Sequence, residues 1–168
     1  MSHPARLPLH FLLARIAACT LALSALPSRA EPVGRIHDLA QQEKAPLLDT
    51  LRDLVNIESG SKDAEGLARL AALIGERLTR LGGKVEIVEP TDIYRMDDTP
   101  PKPGAMVHAE FKGIGAKKIL LIAHMDTVYL RGMLKDQPFR IDGEHAYGLG
   151  IADDKQGVAL ILHTVAAL

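Results

Sequence analysis

The chain has 168 residues, a length that suits about one domain. Apolar residues make up 47% and charged residues 24%, as in globular proteins, and aromatic residues make up only 4%, so the core must consist mainly of Leu, Ile, Val and Ala. The formal net charge of −1 gives no basic footprint and argues against nucleic acid as a partner.

Residues 1–30 differ in composition from the rest of the chain. They contain arginines but no acidic residue, and an apolar stretch from Ile16 to Leu26 precedes the small residues Ser28 and Ala30, at the two positions that a signal peptidase checks. This pattern predicts a secretory signal peptide, and therefore a secreted or periplasmic protein without stable membrane insertion after cleavage. A frayed N-terminal helix is the alternative. A membrane anchor is disfavoured, because it needs about 18 uncharged residues and arginines interrupt the span.

The single cysteine, Cys19, lies inside this segment. The sequence Ile16 to Cys19 weakly resembles a lipoprotein cleavage site, but the apolar run continues beyond Cys19, where that of a lipoprotein stops. Cleavage after Ala30 would leave residues 31–168 without a cysteine, which excludes a disulfide and a thiolate zinc site there. A metal in that part of the chain must be held by His, Asp and Glu side chains.

Two amphipathic helices are predicted next, after a polar lead-in. The first runs from Pro46 to Asn56, with Pro46 in the first helical turn, a position that proline favours. The second begins after Asp63, a favoured N-cap residue, and ends at Gly82-Gly83, where glycine can close a helix. Leucines and an isoleucine at helical spacing give the second helix one apolar face.

Three strands are predicted after these helices. Lys84–Val88 alternates between polar and apolar residues, as a half-buried strand does. Ala105–Phe111 forms the second strand, after a proline-rich loop at residues 91–104. Lys118–Ala123 is a nearly continuous apolar run, which predicts a central strand buried on both faces.

The last part of the chain predicts a hairpin and a helix. The hairpin covers Phe139–Tyr147 and turns at Asp142-Gly143, and the helix runs from Lys155 to Leu168. This order of elements predicts a layered α/β domain with a mixed sheet flanked by helices. Because the sheet is small and the last helix has no cap, we expect residues 31–168 to be the truncated N-terminal portion of a longer domain.

A polar cluster follows the predicted central strand. His124 and Asp126 stand two residues apart, so in extended geometry their side chains point to the same side. Ligands of open α/β sheets bind beyond the carboxyl ends of strands, and a metal-bound imidazole usually donates its second N–H to a carboxylate. The pair therefore predicts that His124 binds a metal and that Asp126 orients its ring; a polar cap on a strand end is the alternative.

A second polar cluster, from Gly148 to Gly157, places two adjacent aspartates between a glycine-rich turn and a helix. Helix capping explains one of them, since Asp favours the N-cap and the first turn. Two adjacent carboxylates also suit zinc, and one carboxylate can bridge two ions. A nucleotide-binding loop is disfavoured, because position 153 is Asp where a dinucleotide fingerprint has its third glycine.

The two clusters together resemble the co-catalytic di-zinc peptidases, most closely the glutamate carboxypeptidase (carboxypeptidase G) type. The similarity lies in His124-Met-Asp-Thr-Val-Tyr129 and, 29 residues after His124, in Asp153 within Gly-Ile-Ala-Asp-Asp-Lys. The stretch Leu54 to Gly60 is similar to the early helix and turn of that group. In all, the resemblance spans about residues 47–168.

The resemblance implies a role for each matching residue. His124 would bind one zinc, Asp153 would bridge two zincs, and Asp126 would act as an active-site residue that holds the His124 imidazole. Asp154 would follow Asp153 through an unusual, strained peptide bond. The family also uses a Glu-Glu pair, which supplies the general base and a ligand, two later ligands and a dimerisation domain; none of these parts occurs in this sequence. Three other histidines match no family ligand and are interpreted as ordinary: His108, His145 and His163.

The function implied by the resemblance is that of a zinc metallopeptidase. It would release a C-terminal amino acid, with glutamate favoured, from small peptides or N-acyl amino acids through a water activated by two zinc ions, and the full-length protein would be a homodimer. We expect residues 31–168 alone to be inactive, because His124 and Asp153 are fewer than the about three ligands of a catalytic zinc. Three alternatives stay open: an aminoacylase, deacetylase or dipeptidase on the same metal frame, a non-catalytic truncated remnant, and an extracytoplasmic binding domain.

Overall fold

The computed structural model describes residues 33–168, of which residues 37–168 form one compact unit. Three helices supply its buried core: α1 (Gly34–Val55), α2 (Ala64–Arg80) and α3 (Gln156–Ala167). The central cluster of buried side chains is wholly aliphatic, in keeping with the shortage of aromatic residues: Leu51, Leu54, Val55, Leu70, Ile74, Leu78, Val158, Ala159 and Leu162.

The signal peptide predicted at residues 1–30, together with Cys19, lies outside the described residues. Cleavage after Ala30 and export therefore stay predictions. None of the helices within residues 33–168 combines the length and the apolarity that a membrane crossing requires.

Helix α1 is longer than predicted, and Pro46 lies inside it instead of in its first turn. The expected polar lead-in is helical as well, so the prediction of a helix that starts at Pro46 is wrong. Proline removes one backbone hydrogen bond from a helix interior, but residues 39–44 all have high helix propensity. The buried part of the helix begins only at Thr50.

Helix α2 begins and ends as the sequence predicts. Asp63 is its N-cap, and the Asp63 carboxylate accepts a hydrogen bond from the Gly66 N–H at 2.9 Å. The helix ends at Arg80, and Gly82 follows in the left-handed conformation with φ of 90°, which glycine adopts without steric cost.

Two small antiparallel sheets complete the fold. β1 (Lys84–Val88) pairs with β2 (Met106–Glu110), and both strands pack against α2. β3 (Arg140–Asp142) pairs with β4 (His145–Tyr147) as a hairpin whose turn begins one residue later than predicted. Helices and sheets packed in one unit confirm the predicted α/β class, but within residues 33–168 the strands form two antiparallel sheets instead of the predicted mixed sheet.

The stretch Lys118–Ala123, here called the apolar stretch, is not the doubly buried central strand that its sequence predicts. Ile119 and Leu120 are 85% and 77% exposed. Burial on both faces requires neighbouring strands and covering helices, and no strand within residues 33–168 pairs with this stretch. Just beyond it, an isolated parallel bridge joins Thr127 to Gly60 and brings the loop after α1 beside the predicted metal ligand.

Candidate metal site

The candidate site lies where two loops meet. One loop follows the apolar stretch and carries His124 and Asp126; the other, residues 148–155, precedes α3 and carries Asp153. The Nε2 atom of His124 and the Oδ1 atom of Asp153 are 2.9 Å apart. The structure therefore brings the three predicted site residues together.

The other ring nitrogen of His124 faces Asp126. Nδ1 lies 3.0 Å from the main-chain oxygen of Asp126 and 3.2 Å from its carboxylate Oδ1. Both oxygens are acceptors, so they favour a hydrogen on Nδ1. Nε2 faces the Asp153 carboxylate, which is an acceptor as well, so in the metal-free chain Nε2 can share a hydrogen with Asp153, and a metal bound at Nε2 would replace that hydrogen.

The surroundings of His124 raise the pKa of its imidazole. Partial burial is the largest single influence and lowers the pKa, but the hydrogen bonds and charges of Asp153 and Asp126 together outweigh it. A ring between two carboxylates favours positive charge at this point. A divalent cation provides positive charge there as well, so a proton and a metal compete for such a site.

Asp153 and Asp154 point in different directions from the turn before α3. The Asp153 side chain is largely exposed and meets His124. The Asp154 carboxylate lies against the start of α3, where Gly157 leaves room that a Cβ atom would fill. Asp154 thus lies beside the helix start, whereas Asp153 faces His124. The peptide bond between the two aspartates is cis, an unusual bond of the kind that the resemblance implies.

The loop after α1, residues 57–61, is here called the support loop because it holds the chain just beyond His124. The Thr127 N–H donates to the Ser59 carbonyl at 2.8 Å, and the Ser61 N–H donates to the Thr127 carbonyl at 2.9 Å. In the sequence, most of this loop belongs to the stretch Leu54 to Gly60 that carries part of the resemblance, but its contacts with the site were not predicted. The run Ser-Gly-Ser is the signal that could have identified it, since small side chains let another backbone segment approach closely.

The two serine hydroxyls of the support loop contact different parts of the site segment. Ser59 Oγ donates to the main-chain oxygen of Met125 at 2.9 Å, whereas Ser61 Oγ donates to Asp126 Oδ2 at 2.7 Å. The Asp126 carboxylate is therefore held from both sides, by Ser61 on one oxygen and by His124 on the other.

A buried lysine anchors the turn that carries Asp153. Lys155 is 1% exposed, and its Nζ donates to the main-chain oxygen of Ile57 in the support loop at 2.6 Å. Burial lowers the pKa of Lys155 to about 8, although the charge of Glu58 opposes that effect. The support loop thus contacts both halves of the candidate site, and neither contact was expected from the sequence.

Charged side chains also connect the support loop and the start of α2 to residues 131–134, which follow the site. The N–H groups of Leu134 and Gly132 donate to Glu58 Oε1 at 2.9 and 2.7 Å, and these hydrogen bonds lower the pKa of Glu58. Arg131 forms a two-pronged ion pair with Asp63, and its hydrogen bonds lower the pKa of the Asp63 carboxyl.

The three histidines that were interpreted as ordinary lie on other elements. His163, on α3, meets Glu43 and Thr50 of α1. His108 and His145 lie in β2 and β4. Their interpretation as residues that bind no metal stays a prediction.

The donor set fits part of a zinc site. Imidazole nitrogen and carboxylate oxygen are both ordinary zinc ligands, and those of His124 and Asp153 converge on one point. Within residues 33–168, no group of three or more His, Cys, Asp or Glu side chains forms a metal-binding cluster. Since a catalytic zinc takes about three protein ligands, these two side chains supply only part of a coordination sphere.

Comparison with known proteins gives two matches. Residues 120–168, which include both loops of the candidate site and α3, match the model of Peptidase family M20/M25/M40. Over 153 residues the chain is 39% identical to carboxypeptidase G2 of Pseudomonas sp. (strain RS-16), a similarity that covers 91% of this chain and 34% of that protein. The chain thus spans about a third of the length of the curated relative that it matches.

The α/β fold of residues 33–168 agrees with part of a peptidase domain of that family. The family match includes the positions of His124, Asp126 and Asp153. These matches confirm the resemblance on which the motif assignment rests: residues 120–168 match the model of Peptidase family M20/M25/M40, and the chain is similar to a carboxypeptidase of the G type.

Proposed function

We propose that the protein hydrolyses the bond that joins a C-terminal amino acid to a peptide or to an N-acyl group, in a metal-dependent reaction with glutamate favoured. The observation that carries this proposal is the pair formed by His124 Nε2 and Asp153 Oδ1, 2.9 Å apart, in a chain 39% identical to carboxypeptidase G2 over 153 residues. Glutamate as the released residue rests on the resemblance to the carboxypeptidase G type alone.

We propose two zinc ions, in keeping with the co-catalytic type of site. His124 would hold one of them through Nε2, and Asp153 would stand between the two. Bound zinc supplies Lewis-acid polarisation of the scissile carbonyl and acidifies water. Asp126 would keep the hydrogen on Nδ1 of His124, so that Nε2 stays available to the metal.

The chain's own residues prepare the two ligands for this role. The support loop fixes the backbone beside His124 through Thr127, and Lys155 ties the Asp153 turn to the same loop. Ligands that are held before the metal binds need not be ordered by the binding itself, which favours affinity. A site held on rigid contacts also keeps its geometry more closely than one on loose loops.

Zinc stoichiometry of the purified chain is the first test of the metal site. Equilibrium dialysis followed by elemental analysis compares the wild type with Asp153→Ala and with Asp142→Ala, which removes an exposed carboxylate from the β3–β4 hairpin. We expect zinc binding that Asp153→Ala abolishes and Asp142→Ala preserves. Equal binding by all three proteins, or no binding by a chain that circular dichroism shows to be folded, contradicts the proposed site.

The substrate class needs a separate assay. We expect residues 31–168 alone to be inactive because His124 and Asp153 are too few ligands, so the assay uses the longest natural protein that contains this sequence. Peptides and N-acyl amino acids that differ only in the C-terminal residue are compared, and faster release of glutamate than of alanine is expected. Preference for N-acetyl amino acids or for dipeptides would favour an aminoacylase, a deacetylase or a dipeptidase. Zinc binding without any hydrolysis would favour the remnant. Export to the periplasm and homodimerisation stay predictions.

A further inference from the structure

We propose that Ser61 is a positioning residue of the candidate metal site. Its hydroxyl holds the Asp126 carboxylate, and Asp126 in turn fixes the His124 ring. This inference rests on the proposed metal site for its zinc measurement, whereas its measurement on the His124 ring needs no metal.

Ser61 is itself held firmly beside the site. Its N–H donates to the carbonyl of Thr127 at 2.9 Å, and Thr127 directly follows Asp126 in the chain. This hydrogen bond fixes the backbone of Ser61 beside the site. Its Oγ lies 2.7 Å from Asp126 Oδ2 and 3.2 Å from the Thr127 carbonyl oxygen. A hydroxyl has a single hydrogen to donate, and the carboxylate oxygen is both nearer and charged, so it receives that hydrogen.

The two oxygens of Asp126 are divided between two partners. Oδ2 accepts from Ser61, and Oδ1 lies 3.2 Å from His124 Nδ1. The Asp126 side chain is 45% exposed, and rotation about the last torsion of an aspartate is broad. Ser61 is therefore the contact that keeps Oδ1 turned toward the imidazole.

Loss of this contact would leave the ring with a weaker partner. Without Ser61, water can take the place of its hydroxyl on Asp126, and His124 Nδ1 keeps the main-chain oxygen of Asp126 at 3.0 Å as its acceptor. A carboxylate partner raises the basicity of a metal-binding imidazole, and removal of such a partner weakens metal binding by about 10–100-fold. Because Ser61 acts through Asp126, we expect about 10-fold, the lower end of that range.

Ser59 provides a matched control. It lies two residues earlier in the same loop and is 1% exposed, and its hydroxyl donates to the main-chain oxygen of Met125 at 2.9 Å. Ser59→Ala therefore removes a more deeply buried hydrogen bond than Ser61→Ala does, but it leaves both partners of the Asp126 carboxylate in place. A purely structural role of the loop would make Ser59→Ala at least as harmful to the site.

The experiment compares the full chain with Ser61→Ala, Ser61→Thr and Ser59→Ala at one fixed pH at which the metal-free His124 ring of the wild type is neutral, since a protonated imidazole carries a hydrogen on both nitrogens. Long-range ¹H–¹⁵N correlation spectra of the His124 ring report which nitrogen carries the hydrogen, and competition with a chromogenic chelator reports the affinity for Zn²⁺. In Ser61→Ala we expect a smaller share of the Nδ1–H form and about 10-fold weaker Zn²⁺ binding. Ser61→Thr, which keeps the hydroxyl, should restore both, and Ser59→Ala should leave the ring signals unchanged.

Ring signals in Ser61→Ala that match those of the wild type overturn the proposal, whatever the Zn²⁺ affinities are. If Ser61→Ala does not fold, Ser61→Val is compared with Ser61→Thr instead. Valine and threonine have nearly the same shape, and only threonine has a hydroxyl. Identical ring signals in that pair overturn the proposal as well. A wild-type chain that binds no Zn²⁺ contradicts the proposal that His124 and Asp153 hold zinc in this chain, and the ring signals alone then decide the role of Ser61.

Discussion

Two stretches of the chain on either side of His124 are held in opposite ways. The apolar stretch before it is rich in Ile and Leu but exposed, whereas residues 125–134 after it are fixed by hydrogen bonds to the support loop, including those to Glu58. The stretch with the stronger sequence signal for burial is thus the less constrained one. Apolar composition favours burial, but the place of a segment depends on the partners that satisfy its backbone groups.

The candidate metal site lies on the constrained side of this comparison. Its geometry depends on small residues that allow close approach and on hydroxyls that reach short distances. Such contacts tolerate little change, since a displacement of about 1 Å is enough to spoil a functional site. The comparison therefore predicts that single-atom changes in the support loop matter more than large changes in the apolar stretch.

Among substitutions near the candidate site, the largest effect is expected for Gly60→Ala. Gly60 lies so close to the main-chain oxygen of Tyr129 that a Cβ atom would collide with it, and backbone must move to relieve the collision. We expect the free energy of unfolding to fall by about 2–3 kcal/mol, as for other severe point mutations. Urea titration followed by circular dichroism measures the change.

Gly113→Ala is the control on the other side of the comparison. Open space surrounds Gly113, and an alanine that fits its backbone restricts the unfolded chain, so we expect no loss or a gain of about 0.4–1 kcal/mol. Equal losses in Gly60→Ala and Gly113→Ala would mean that the support loop is no more constrained than the open loop that contains Gly113, just before the apolar stretch.

The sequence predicted those features that depend on neighbours along the chain. The Asp63 cap, the strand at Lys84–Val88 and the hairpin follow from local turn chemistry and alternation. The proximity of His124 and Asp126 follows in the same way, from a spacing of two residues in extended chain. The prediction that Asp153 lies near His124 depended on the resemblance, because no local rule relates residues 29 positions apart.

The features that the sequence did not predict are contacts between distant segments. Ser61 reaches Asp126 and Lys155 reaches Ile57 across 65 and 98 positions. A serine and a lysine carry no periodic signal for such contacts, and lysine is almost never fully buried unless paired. The prediction of a buried strand at the apolar stretch was wrong for the opposite reason. Its pattern is that of a strand with partners on both sides, but no strand of residues 33–168 pairs with it.

A second prediction concerns the buried Lys155 through the pH dependence of stability. Its pKa is about 8 in the folded chain against 10.5 as the reference, so between these values the unfolded state binds more protons and stability rises with pH. Below both pKa values Lys155 is protonated in the folded and the unfolded state. The burial of its charge then lowers the free energy of unfolding by an amount that no longer changes with pH. Lys155→Met lacks this group, so the stability of the wild type relative to Lys155→Met should rise from about pH 7 to about pH 10.

Chemical denaturation of both proteins at the two pH values measures that difference. Lys118→Met, which removes an exposed amine from the apolar stretch, shows how much of any change comes from loss of a lysine in general. A difference between the wild type and Lys155→Met that stays constant with pH would contradict the burial of the charged group.

A smaller effect is expected for Asp63→Asn, which tests the ion pair with Arg131. Asparagine caps a helix about as well as aspartate, so the substitution removes the charge and keeps the cap. The folded-state pKa of Asp63 lies below the reference value of 3.8, so its contribution is present above that value and is lost as the pH falls through the folded pKa. Asp63→Asn should therefore be less stable than the wild type at neutral pH and equal to it in acid.

Thermal unfolding at both pH values, with and without added salt, measures this contribution. Salt should narrow the gap, since Arg131 is about half exposed and ion pairs in such positions are screened. Asp49→Asn, which breaks an exposed pair on α1, is the control and should show a smaller loss. A gap that persists in acid would assign the effect to the cap instead of the charge.

The smallest effect on stability is expected for Leu120→Ser, in the apolar stretch. Leu120 is 77% exposed, so its replacement should change the free energy of unfolding by less than about 0.5 kcal/mol, whereas Leu70→Ala in the core should cost about 2–5 kcal/mol. Light scattering should show less aggregation of Leu120→Ser, because an exposed apolar segment without proline can pair with copies of itself. A loss above about 1 kcal/mol would mean that Leu120 is covered in solution, and the contrast between the two sides of His124 would then disappear.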